Sequence, residues 1–219
     1  MEMPGFTICR HYVNHLLVCV ISLLGSQPVF ETTVSGNEPK IMVDVSDVAG
    51  HIQVLADDAF EGREGGHRGG RAASSYIEQE IVPLGLTPAG AEKSYFQSFP
   101  TRFGTLRNVL VMIPGSDPVL QSDVIVVGAH YDHVGYGNKR NSFGPFGYVH
   151  NGADDNASGV AGLIKIAETL AELPNPCRRT ILLAFWDGEE QGLLGSKYFI
   201  KNQPDCIKDK KIIFSINLD

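Results

Sequence analysis

Apolar positions fall into two rhythms along this chain. Val48, Ile52, Leu55 and Ala56 recur at helical spacing, as do Ala73, Ile77, Ile81 and Leu84, whose stripe closes at Pro83 and Gly85. Between the two stripes, the polar, glycine-rich run Glu61–Gly70 reads as a turn. From Arg107 the pattern changes. Val109–Ile113 forms a strand stopped by Pro114-Gly115, and Val124–Val127 is an unbroken apolar run of the kind buried on both faces. After a long glycine- and asparagine-rich loop over 136–152, Asp155 or Asn156 can cap a helix reaching about Leu173, with Val160, Ile164, Ala167 and Ala171 inward. Ile181–Trp186 is the next buried strand, a helix follows around Leu193–Lys201, and Ile212–Ile216 is the last strand. Buried strands alternating with amphipathic helices predict an α/β fold, a sheet covered on both sides.

Ahead of this rhythm, Arg10 and His11 precede the apolar stretch Leu16–Leu24 and the small residues Gly25-Ser26. That layout predicts a signal peptide over 1–26, with an uncleaved anchor or a buried strand as the alternatives. Residues 27–45 read as a linker. The expected location is outside the cytoplasm, periplasmic or extracellular, with no membrane contact beyond that N-terminal segment. The 219 residues are 43% hydrophobic and 20% charged, enough for a substantial core. A net charge of −7 with no basic stripe argues against a nucleic-acid partner. Cys177 and Cys206 remain after leader removal; an oxidising compartment would permit a bridge, but nothing in the sequence brings the two together, and the expected reading is two structural or free thiols.

Four polar phrases sit at the ends or starts of the core elements: GAHYDHVG at 128–135, HNGADDNASG at 150–159, WDGEEQGLLGS at 186–196 and INLD at 216–219. In open α/β sheets, sites form beyond the carboxyl ends of strands, where three of these phrases lie. Histidine with several carboxylates suits zinc or a similar divalent ion. His130 is the leading nitrogen ligand and Asp132 a partner for its other ring nitrogen; His133, His67 and His150 are weaker candidates. Of the adjacent pair, Asp154 is assigned to the metal, where it could bridge two ions, and Asp155 to support or capping. Glu189-Glu190 offers one metal ligand and one general base, and Asp187 reads as structural.

Together the four phrases, with LADDAFEGREGGHRGGRAASSYI at 55–77, resemble the dinuclear zinc aminopeptidases that group with glutamate carboxypeptidases and, more distantly, glutaminyl cyclases. The resemblance covers about 50–219. It implies a zinc peptidase domain over 46–219, with a helical segment at 46–105 and an α/β core at 106–219. The implied sheet is mixed, mostly parallel, sandwiched between helices and incomplete at the C-terminus. It further implies two Zn²⁺ ions bridged by Asp154, one also held by His130 and Asp219, the other by Glu190 and a further histidine. That histidine lies downstream of INLD in relatives, so the second site is expected to be incomplete. Glu189 would serve as general base for a metal-bridging water, with Asp132 supporting His130. The implied activity is removal of N-terminal residues from peptide substrates; the alternatives are a carboxypeptidase, a glutaminyl cyclase-like relative or an inactive binding remnant.

Overall fold

A computed structural model describes residues 45–174 and 177–219. The expected signal peptide and almost all of the expected linker lie outside these residues. Helix α1 spans Val45–Leu55 and α2 spans Arg68–Ile81. Strands β1 (Thr87–Pro88), β2 (Phe96–Thr101) and β3 (Gly104–Ile113) follow. Then come β4 (Asp123–His130), α3 (Ser158–Ala171), β5 (Thr180–Trp186), α4 (Leu194–Lys201) and β6 (Lys211–Leu218). Among the described residues, no helix is long and apolar enough to cross a membrane.

The sheet runs β1-β3-β5-β4-β6, with β2 also paired to β3. β3 is antiparallel to β1, β2 and β5, whereas β5, β4 and β6 are mutually parallel in that order. The mixed sheet between helices is thus present, and its parallel part carries the polar phrases. Two-residue periodicity sorts the strand side chains onto its two faces. Val109, Val111, Ile125, Val127, Leu183 and Phe185 pack under α1, α2 and α3, while Leu110, Val124, Val126, Leu182 and Ala184 pack with Phe199 of α4. Each fully buried aliphatic side chain of this kind stabilises the fold by about 1.5–3 kcal/mol.

The segment between α1 and α2 is shorter than the sequence suggests, because α2 begins at Arg68 and takes in Gly69 and Gly70. Both glycines press against backbone: a Cβ on Gly69 would sit 2.0 Å from the Phe60 carbonyl oxygen. Close approach, rather than a turn, is what requires glycine there. Strands β1 and β2 lie inside the segment expected to be helical. Their residues Thr87–Pro88 and Phe96–Thr101 add to the free edge of β3.

Register fixes the geometry of the site edge. His130 is opposite Trp186 across the β4–β5 ladder, and Ala129 is opposite Leu218 across β4–β6. The residues that follow each strand therefore emerge side by side: Tyr131–His133 from β4, Asp187–Glu190 from β5 and Asp219 from β6.

Candidate metal centre

Three strand ends and one helix entrance converge on His130, which is almost wholly buried. Its Nε2 lies 3.2 Å from Asp155 Oδ1 and 3.3 Å from Asp219 Oδ1. Ligands about 2.0–2.1 Å from a tetrahedral zinc stand roughly 3.3–3.4 Å apart, so these spacings match a zinc coordination edge. A second group faces the first across the same carboxylate. His133 Nδ1 lies 3.8 Å from Asp155 Oδ2 and 2.7 Å from Glu190 Oε1. In each group the candidate ligand atoms lie within 4.8 Å of one another. The first triad fits zinc directly. The second has the right donors but holds His133 and Glu190 in a hydrogen bond tighter than coordination spacing.

The carboxylate common to both groups is that of Asp155, where the sequence reading places Asp154. The backbone explains the choice. Asp155 and Asn156 leave the helical conformation (φ −110°, ψ 98° at Asp155), and this turns the Asp155 side chain toward the histidines. Asn156 points into the fold, donating to the Leu218 carbonyl at 2.8 Å while its Oδ1 accepts from the Gly159 amide. Asp154 is exposed and belongs to neither triad; its carbonyl accepts from Ser158 Oγ. Gly152, at φ +57°, makes the turn possible, since a Cβ there would lie 2.6 Å from the His133 ring. His133, a weaker candidate than His130 in sequence, stands inside the site; His150 instead contacts the Pro145 carbonyl in the loop.

Asp132 is fully buried and lies beneath the glutamate pair. Its carboxylate accepts from the Glu189 amide at 2.9 Å and the Glu190 amide at 3.3 Å, and its carbonyl oxygen is 3.2 Å from His130 Nδ1. The expected contact between the Asp132 carboxylate and His130 is looser, at 3.7 Å. Asp132 thus anchors the Glu189–Glu190 turn at least as firmly as it orients the imidazole. Burial disfavours charge on His130, yet Asp132, Glu189 and Asp155 outweigh it and bring the ring up to about 9. Burial pushes the Glu189 carboxyl up, with repulsion from Asp132, Glu190 and Asp219 in the same direction. Glu190 moves down because His133 hydrogen-bonds to it. A cavity of about 230 Å³ beside His130 and Glu189 is walled by Trp186, Leu193, Phe199 and Ile200.

Asp187 lies buried behind the site, with Oδ2 accepting from the Arg107 amide at 2.9 Å and Oδ1 without a partner. Burial, reinforced by the charge of Asp132, pushes it up from 3.8 to about 7. An acid raised in the folded state binds its proton more tightly there than in the unfolded chain, so stability falls as pH climbs from about 4 toward 7. Asp187→Asn keeps the acceptor for Arg107 and removes the charge. It should raise the melting temperature at pH 8 relative to wild type by more than at pH 5. Equal shifts at the two pH values in thermal denaturation would remove Asp187 as the cause.

Peptidase family M28 matches residues 108–219, the stretch that holds every strand-end group just described. Leupeptin-inactivating enzyme 1 of Streptomyces exfoliatus is 26% identical over 171 residues, covering 77% of this chain and 34% of that protein. Leucine aminopeptidase 1 of Trichophyton rubrum is 29% identical over 156 residues, 68% of this chain and 38% of that one. The chain therefore spans about a third of the length of these curated relatives. A Zn-dependent exopeptidase from Parabacteroides distasonis superposes with a TM-score of 0.62 over 80% of this chain and 61% of its own, at 22% identity, which shows the shared fold. From the match over its site-bearing half, the chain belongs to peptidase family M28.

Proposed function

We propose that the protein is a zinc-dependent exopeptidase of the aminopeptidase type, built on two zinc sites that share Asp155. The observation that carries this is the pair of triads, His130/Asp155/Asp219 and His133/Asp155/Glu190, meeting at one carboxylate at the carboxyl edge of a parallel sheet. Zinc bound there would polarise a peptide carbonyl and increase the acidity of water. Glu189 lies outside both triads with its carboxyl pushed upward, so it is free to take a proton from water on a carboxylate oxygen and return it to the departing amine. The aminopeptidase choice is supported by relatives named as leucine aminopeptidases. In this reading His133 supplies the second nitrogen donor, the place where the resemblance implied a histidine downstream of Asp219.

Zinc titration tests the arrangement. The protein should take up two equivalents of zinc, and His133→Ala should reduce this to one while His130, Asp155 and Asp219 hold the other. Wild-type protein saturating at one equivalent would refute the two-site reading, and uptake of none would refute the metal reading. Unblocked aminoacyl anilides should be hydrolysed and N-blocked dipeptides left intact; the reverse would point to carboxypeptidase action.

A further inference from the structure

Arg63 is the largest fully buried side chain among the described residues, and neither metal triad contains it. Its guanidinium donates to backbone carbonyls: Nε to Tyr131 at 2.9 Å, Nη1 to Leu55 at 2.7 Å and Asn151 at 2.6 Å, and Nη2 to Gly152 at 2.8 Å. These carbonyls belong to three separate stretches of chain. Tyr131 stands between His130 and Asp132, Asn151 and Gly152 lead into Asp155, and Leu55 ends α1. The backbone around Arg63 extends the same junction. Its own carbonyl accepts from the His133 amide at 3.3 Å, and the Gly62 carbonyl accepts from the Gly135 amide at 3.0 Å.

The junction is tight and conformationally demanding. Glu61, Gly62 and Arg63 all occupy the left-handed region, at φ +49°, +62° and +49°, which residues other than glycine rarely adopt. A Cβ on Gly62 would lie 2.5 Å from the Gly135 carbonyl oxygen. Only arginine offers a planar fork of five donors that can reach this many carbonyls from one stem. Asp132, Asp155 and Glu190 act on the guanidinium through their charges. A buried cation held by carbonyl dipoles therefore lies within electrostatic reach of the acidic site while occupying none of its ligand positions.

We propose that Arg63 is a positioning residue for the metal centre: it fixes the loop leading into Asp155 against the stretch bearing His130 and His133, and its charge offsets the repulsion among the gathered carboxylates. The proposal rests on the metal reading above and adds to it a residue that touches neither ion nor substrate. A peg that merely stabilises the core would affect melting and leave metal affinity alone. A positioning residue sets the spacing from Asp155 to both histidines, and so governs affinity itself. Groups that orient metal ligands typically contribute about 10–100-fold to metal affinity.

The test is zinc affinity, by competition with a chromophoric chelator, on the whole chain carrying Arg63→Lys, beside His130→Ala and Leu110→Ala. Lysine keeps the charge but lacks the fork. Leu110→Ala empties core on the opposite face of the sheet and reports what destabilisation alone does. Arg63→Lys should fold, as judged by circular dichroism, and bind zinc at least about tenfold more weakly than wild type, with Leu110→Ala unchanged. A folded Arg63→Lys within threefold of wild type would overturn the proposal, as would an equal loss in Leu110→Ala. Should Arg63→Lys fail to fold, Asn151→Ala decides. Asn151 Nδ2 ties the same loop to the Ala56 carbonyl and to Asp58 Oδ1, both at 2.7 Å, without entering the core. Weaker zinc binding in that variant supports the proposal and unchanged binding overturns it. Wild-type protein that binds no more zinc than His130→Ala would overturn the metal reading, and this proposal with it.

Discussion

Asp155→Asn is expected to abolish zinc binding at both sites, whereas Asp154→Asn leaves it at the wild-type level. One oxygen of Asp155 faces His130 at 3.2 Å and the other faces His133 at 3.8 Å, so a single carboxylate serves two triads. An amide of the same shape removes the charge and one of the two acceptor oxygens. Each site would then keep one histidine and one carboxylate, too few to hold zinc tightly, and affinity should fall by at least about 100-fold. The metal-free protein should not suffer. Burial and repulsion from Glu190 already push the Asp155 carboxyl upward, so neutralising it removes an unfavourable charge. Melting with and without zinc separates the two effects. Zinc at 100 times its dissociation constant stabilises wild type by about 2.7 kcal/mol, and this increment should vanish in Asp155→Asn while persisting in Asp154→Asn. If instead Asp154→Asn loses the increment, the shared ligand has been misplaced by one residue.

That one-residue question marks where the sequence stops being informative. The runs Val124–Val127, Ile181–Trp186 and Ile212–Ile216 are long, apolar and followed at once by polar phrases, so the pattern alone places His130, the glutamate pair and Asp219 on one sheet edge. Asp154 and Asp155 offer no such handle. The choice between them depends on a local departure from helical geometry that anchors Asn156 under Leu218, a contact across 62 residues. His133 is a weak candidate in sequence for a related reason. Its direction after β4 depends on pairing with the segment around Arg63 and Glu64, some 70 residues earlier, and no periodicity encodes that. Strand β2 is masked by Pro100, which an edge strand tolerates and a central strand does not. Arg63 lies in a glycine-rich run that reads as a solvent-exposed turn, the usual place for such a composition.

Glu189→Gln is expected to lower kcat by about 10²- to 10⁴-fold while zinc content stays at the wild-type level. Residue type alone does not separate Glu189 from Glu190; the resemblance makes Glu189 the base and Glu190 the ligand, and the geometry is in keeping with that division. Glu190 is engaged by His133 at 2.7 Å and held toward its ionised form, which suits a ligand. Glu189 belongs to neither triad and is pushed toward protonation by burial and by the surrounding carboxylates, which suits a group that accepts a proton and gives it up again. Both backbone amides are pinned to Asp132, so glutamine at 189 should keep its position and lose only its basicity. Glu190→Gln should do the opposite, weakening zinc binding at the second site. Measuring kcat and zinc content on both variants tests the division of labour. Turnover above about a tenth of wild type in Glu189→Gln would take the proton-transfer role away from it. Zinc loss in that variant would make Glu189 a ligand, and the base would then have to come from elsewhere on the same edge of the sheet.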